Sequence, residues 1–215
     1  MTAIRPQERD PERVNVFLDG VFAFGLGLEL ALTERLAIGD ELDEARVGAL
    51  KAADEVGKAT SAALNLLARR PRSQREVRDR LRQKGYDTST IDAAVAKLEG
   101  WRYVDDADFA RYWVENRAAH KPRGRRLLEQ ELRQKGVERE IVRETLDGAE
   151  LDERMAALDL GRAKLRSYAG LEPPIVRRRL ASFLARRGYG FDVVKPVLEQ
   201  LLGEGSAEET DGDLP

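Results

Sequence analysis

One phrase occurs three times in this chain. Leu81-Arg82-Gln83-Lys84-Gly85 returns as Leu132-Arg133-Gln134-Lys135-Gly136 and, more loosely, as Leu184-Ala185-Arg186-Arg187-Gly188. The glycines are 51 and then 52 residues apart. Val77, Leu128 and Leu180 stand at one matched position before each glycine, and Val95, Leu146 and Leu198 at one matched position after it. A fixed period with matched apolar sites and a matched glycine means one supersecondary unit used three times, with neighbours sharing buried surface. Arrays of this kind present long faces instead of deep pockets, which points to recognition of something extended.

The breaks inside each period predict a three-helix unit. Repeat one gives helices near 60–69, 73–84 and 88–99, repeat two 105–119, 124–135 and 138–147, and repeat three 150–168, 174–187 and 191–202. Arg70-Pro71, Lys121-Pro122-Arg123-Gly124 and Pro173-Pro174 supply the first break of each, because a residue before proline is steered away from helix. Ser73 and Glu76 match a capping box, and Thr88 or Ser89 is placed to start the next helix. Gly85 falls just past a helix, where a left-handed residue closes the last turn and glycine does so without strain.

Ahead of the repeats the pattern changes. The first dozen residues are polar and expected to fray. Val14–Phe24 contains two β-prone runs around Asp19-Gly20, a hairpin signal because both residues tolerate the positive φ angles of a type I′ turn. The amphipathic run Glu29–Leu36 and an acidic helix from Asp43 through Val56 are its expected cover. Glu204–Pro215 is acidic, Gly/Ser-containing and nearly without large apolar residues, and reads as a disordered tail. The expected organisation is an N-terminal hairpin-plus-helix unit over 1–57, repeats over 58–100, 101–148 and 149–203, and a tail over 204–215. The expected fold is mainly α, with the three repeats forming an elongated, curved array.

Composition narrows the function classes. No cysteine is present, so disulfides, thiolate zinc sites and thiol nucleophiles are excluded, and a single histidine leaves little room for a His-centred triad. No Gly-rich phosphate loop, zinc spacing or nucleophile elbow occurs; neither a catalytic residue, a metal site nor a cofactor is expected. No apolar run approaches the roughly 20 residues of a membrane helix, and a cytoplasmic monomer with no membrane partner is the expectation. The net charge of −2 conceals a strong asymmetry. Residues 1–57 hold 6 Lys/Arg against 12 Asp/Glu, and residues 203–215 hold 5 Asp/Glu and no Lys/Arg, so the middle carries a net +9. A basic helical body suits an anionic partner, either nucleic acid or an acidic protein groove. Solubility alone is the plainer reading of arginine-rich helices.

The cations also cluster by position. Arg72 lies in the break of repeat one, Lys121, Arg123, Arg125 and Arg126 in that of repeat two, and Arg178 early in the equivalent helix of repeat three. Arg75, Arg78 and Arg82 share a helix face at i, i+3 and i+7. Backbone N–H groups at the helix start after Gly124, joined by guanidinium groups, suit a phosphate or carboxylate. These nine residues are the candidate partner-binding set. Asp105, Asp106 and Asp108 fit helix initiation better than a metal site. Trp101 and Tyr103 suit stacking on bases, whereas Phe109, Tyr112 and Trp113 suit an apolar wedge between repeats one and two.

These residues resemble the RecX family of bacterial regulators of the RecA recombinase. The likeness rests on Tyr103-Val104-Asp105-Asp106 with Phe109-Ala110, on Lys121-Pro122-Arg123-Gly124-Arg125-Arg126-Leu127, on Glu131-Leu132-Arg133-Gln134-Lys135-Gly136-Val137, and on Ser73, Glu76, Leu81, Lys84 and Gly85. It covers roughly 60–200 in the family's order, and the N-terminal hairpin is similar to an extension found in many members. The loop runs Pro-Arg-Gly where the family often has Gly-Pro. The resemblance implies an all-α regulator, not an enzyme, that lies along the RecA–DNA filament and suppresses its ATPase, strand-exchange and coprotease activities. The processes implied are homologous recombination, DNA repair and the SOS response. Some members bind single- or double-stranded DNA directly, so a stand-alone DNA-binding helical repeat module is the alternative.

Overall fold

A computed structural model describes residues 1–203; the acidic segment expected to be a disordered tail lies outside the described residues. The chain divides into two compact units, one ending at Asp105 and one beginning at Asp106.

The first unit opens with an antiparallel sheet in the order β1 (Ala3–Pro6), β2 (Arg13–Leu18) and β3 (Val21–Gly27). The turn between β2 and β3 carries Asp19 at φ +51° and Gly20 at φ +79°, the two positive angles expected of it. The fraying expected of the first dozen residues is corrected. Ala3–Pro6 pairs with Val14–Phe17, Thr2 N–H donates to the Phe17 carbonyl at 2.8 Å, and Ile4 packs on the sheet's core. One half-buried isoleucine and a free edge on β2 outweigh the polar composition around them.

After the short helix α1 (Leu28–Thr33) comes α2 (Glu44–Leu67), capped by the Asp43 side chain accepting from Arg46 N–H. Two helices were expected here, and one is found. Gly57 costs about 1 kcal/mol inside a helix, but it meets open space and has no proline beside it, so nothing interrupts the ladder. The boundary expected at 57/58 therefore falls within a continuous helix. The first half of α2 buries Leu50 against Val14, Val16, Phe24 and Leu26 of the sheet. Its second half buries Ala59 and Ala63 with Val77, Leu81, Ile91, Ala94, Val95 and Leu98 of repeat one.

Repeat one is completed by α3 (Gln74–Gln83) and α4 (Thr88–Gly100). The Ser73 hydroxyl accepts from Glu76 N–H at 3.2 Å, as the capping pattern predicts. The cap of α4 is Asp87 in place of Thr88 or Ser89: its carboxylate accepts from the Ser89 hydroxyl, the Thr90 N–H and the Thr90 hydroxyl, which holds it down at about 2.

The second unit holds α5 (Asp106–His120), α6 (Arg125–Gln134) and α7 (Arg139–Gly148), then α8 (Glu153–Leu165) with a 3₁₀ turn at Arg166–Tyr168, α9 (Pro173–Ala185) and α10 (Phe191–Leu202). Phe109, Leu128, Leu132, Val142 and Leu146 anchor the core of repeat two. Leu158, Leu180, Leu184, Val197 and Leu198 anchor that of repeat three. The aromatic wedge expected from α5 is corrected in part, since Tyr112 is exposed. Phe109 and Trp113 pack with the helices of repeat two.

The repeated glycines hold the left-handed conformation throughout, with φ of +92° at Gly85, +84° at Gly136 and +88° at Gly188. Gly85 meets open space, so Gly85→Ala carries only the left-handed penalty. That is about 1–2 kcal/mol, seen as a fall in the denaturant midpoint at unchanged slope. Gly188 is different. Gly124 N–H donates to the Arg187 carbonyl at 2.8 Å, and a Cβ on either Gly124 or Gly188 would overlap backbone of the other turn. Repeats two and three thus meet backbone to backbone.

Candidate basic interface

Six of the nine candidate cations are engaged within the fold. Burial lowers the Arg72 guanidinium from its ordinary range, with Arg70 beside it adding to the effect, and its Nε donates to the Leu66 carbonyl at 3.3 Å near the end of α2. On α3, Arg75 and Arg82 both reach Asp79, at 3.8 and 2.7 Å, while Arg78 turns away to Asp92 of α4. The helical spacing does bring Arg75 and Arg82 to one place, but that place holds a carboxylate.

In repeat two the loop before α6 is built into the unit. Arg125 donates its backbone N–H to Glu153 Oε1 at 2.6 Å, one guanidinium nitrogen to the Leu146 carbonyl at 2.8 Å and another to Asp147. It thereby ties the start of α6 to the end of α7 and the start of α8. The carboxylate proposed for a partner at this helix N-terminus is supplied by the chain's own Glu153. Arg123 stands 3.9 Å from Glu131, whose carboxylate also accepts from Trp113 Nε1 at 2.8 Å and Arg117 Nε at 2.7 Å. The Trp113 ring lies near two cations, Arg117 at 4.2 Å and Lys135 at 5.0 Å from its centroid. Trp113 and Arg117 are four residues apart on α5, which is legible in the sequence, whereas Glu131 reaches them from α6, where an indole N–H taken from water finds its acceptor.

Three candidates remain outward. Lys121 and Arg126 are exposed, and Arg178 stands on the solvent face of α9. Arg126 continues along α6 with Glu129, Gln130, Arg133 and Gln134 as a shallow, open, polar face. Trp101 and Tyr103 are more than half exposed and flank Arg102, itself held at φ +60°. Arg133, Arg179 and Arg186 are further exposed cations outside the nine candidates. Among the described residues, no group of three or more His, Asp or Glu is arranged to hold a metal ion, and no helix is long and apolar enough to cross a membrane.

Three-helix repeats following a small N-terminal sheet, with cations set out on helix faces, define a helical-repeat protein with basic faces. The chain belongs to the RecX family of regulatory proteins. Models of the first, second and third RecX three-helix domains match residues 59–98, 105–146 and 152–198, and the regulatory protein RecX N-terminal domain matches 1–43. The regulatory protein RecX of Clostridium botulinum is 32% identical over 205 residues, covering 94% of this chain and 96% of its own. That of Bacillus licheniformis is 32% identical over 93% of this chain and 76% of its own. A crystal structure of a regulatory protein RecX aligns with a TM-score of 0.79 at 25% identity, over 91% of this chain and 97% of that one.

Proposed function

We propose that the protein binds the RecA nucleoprotein filament and restrains its ATPase, strand-exchange and coprotease activities. The observation that carries this reading is the family match through all four segments of the chain. The outward cations Lys121, Arg126 and Arg178 are the contacts we assign to acidic filament surface or DNA phosphate. The remaining candidates act by holding those helices in place. Docking across neighbouring RecA protomers would block subunit exchange, and tighter binding to the filament than to free protomers shifts assembly toward the bound form.

The test is RecA's single-strand-dependent ATPase titrated with the protein from well below stoichiometric amounts. Strong suppression at few copies per filament is expected. No effect in excess, with tight binding to DNA alone, would overturn the filament reading in favour of a DNA-binding module. In the same assay, Lys121→Ala, Arg126→Ala and Arg178→Ala together should raise the concentration needed about tenfold, at about 0.5 kcal/mol per exposed charge. The melting temperature should stay unchanged, because none of the three side chains has a hydrogen-bond or ion-pair partner among the described residues.

A further inference from the structure

Arg177-Arg178-Arg179 is the one place where three arginines follow one another. They lie in the second turn of α9, which buries Val176, Leu180 and Leu184 and has no acidic residue over Pro173–Ala185. The inward face fixes the outward one: Arg178, Arg179, Ser182 and Arg186 are exposed, with Arg179 and Arg186 two turns apart on one side. Among the described residues, none of Arg178, Arg179 and Arg186 forms an ion pair. Arg75, Arg78 and Arg82 on α3 behave otherwise, meeting Asp79 or Asp92. The α9 stripe is therefore a cationic face without a counter-charge among the described residues.

The first arginine of the triplet shows where a counter-charge is available. Arg177 Nη2 donates to the Gly203 carbonyl at 2.7 Å, so the residue that closes α10 sits within one hydrogen bond of the stripe. Beyond it, Glu204–Pro215 carries five carboxylates and no lysine or arginine. Twelve residues can span up to about 40 Å, whereas the thirteen residues of α9 make a rod of about 20 Å. A tethered segment that can reach its site meets it at an effective concentration in the millimolar range.

We propose that residues 204–215 dock on the arginine stripe of α9 as a built-in polyanion and compete there with anionic partners. The surface is Arg178, Arg179 and Arg186, its occupant is this chain's own acidic segment, and the contact is carboxylate against guanidinium. Docking is intramolecular, salt-sensitive and independent of which external partner the protein serves. It extends the proposed function by giving the Arg178 face two states, covered and open.

The absence of cysteine makes a direct test clean. A nitroxide on Thr210→Cys in the full chain should broaden the amide signals of 175–187 at low salt. The broadening should fade at about 0.5 M salt, where the screening length is only a few ångströms. It should vanish with Arg178→Glu, Arg179→Glu and Arg186→Glu. A second measurement leaves the folded body untouched. Full-length protein with Glu204, Glu208 and Glu209 changed to Gln, and Asp211 and Asp213 to Asn, should bind heparin about fivefold more tightly at low salt, a gain attributable to a few exposed charge pairs. Broadening that misses α9 or survives charge reversal would overturn the proposal, as would a gain in heparin affinity that persists undiminished at high salt or no gain at all.

Discussion

Asp54→Ala should lower the unfolding free energy of the first unit by about 3–5 kcal/mol, the range for stripping one partner from a buried ion pair. Asp54 is 6% exposed in the middle of α2. It accepts from Arg13 at 3.1 and 2.8 Å and from Gly27 N–H at 2.8 Å, with Lys58 at 2.9 Å. One carboxylate thus joins β2, β3 and the helix that covers them. Urea unfolding followed through the sheet would read the loss, and Asp54→Asn should recover part of it by keeping the shape and some acceptors. Burial pushes the Asp54 carboxyl up, yet the bonds from Arg13, Lys58 and Gly27 outweigh it and leave it below its ordinary 3.8. The unfolded chain therefore takes up the proton first. The stabilisation is fully present above about pH 4 and is lost as pH falls through the lower folded value. Asp54→Ala should abolish this part of the acid dependence; an unchanged acid limb in the variant would show that another group carries it.

Gly124→Ala should be among the most damaging single methyls that can be added to the second unit. Its Cβ would lie on the Gly188 carbonyl group and the Tyr189 nitrogen, which are backbone atoms and cannot rotate aside. Overpacking of this kind costs about 1–3 kcal/mol and more where the surroundings cannot yield, so a loss of about 3 kcal/mol is expected. The Gly124 N–H bond to Arg187 would be strained with it. Native-state hydrogen exchange is the measurement to make. Protection should fall first at Gly124 and through Arg187–Tyr189, while the core of repeat one stays as slow as before. Gly188→Ala adds a positive-φ penalty to a similar overlap with Leu127 and should be at least as severe. A Gly124→Ala protein as stable as the parent would mean that the two turns separate readily.

Much of the fold was legible because the repeats state it locally. Gly85, Gly136 and Gly188 announce helix ends through a conformation that side chains resist, and Ser73 and Asp43 announce helix starts through a hydroxyl or carboxylate in capping position. β1 was missed because four residues with one half-buried isoleucine make no periodic signal, and their strand exists only by pairing with β2. The merging of two expected helices into α2 was missed because Gly57 weakens a helix without forbidding it. The candidate interface was legible only as composition. Whether an arginine faces outward is decided by residues far along the chain: Asp92 for Arg78, Asp147 and Leu146 for Arg125, Glu131 for Arg123. Arg123→Ala and Arg125→Ala therefore test folding more than binding, although their spacing reads like a phosphate clamp.

The continuity of α2 also sets a rule for cutting this protein. Twenty-four residues make a rod of about 36 Å, and both cores of the first unit grip it at different heights. Starting a fragment at residue 58 would sever the rod and leave repeat one with a frayed stump. Starting it at Asp43 would keep the rod but strip Val47 and Leu50 of their cover and deprive Asp54 of Arg13 and Gly27. Strain applied to the sheet likewise has a stiff beam to travel along before it reaches Val77 and Leu98. The sheet and the first repeat are, mechanically, two grips on one shaft.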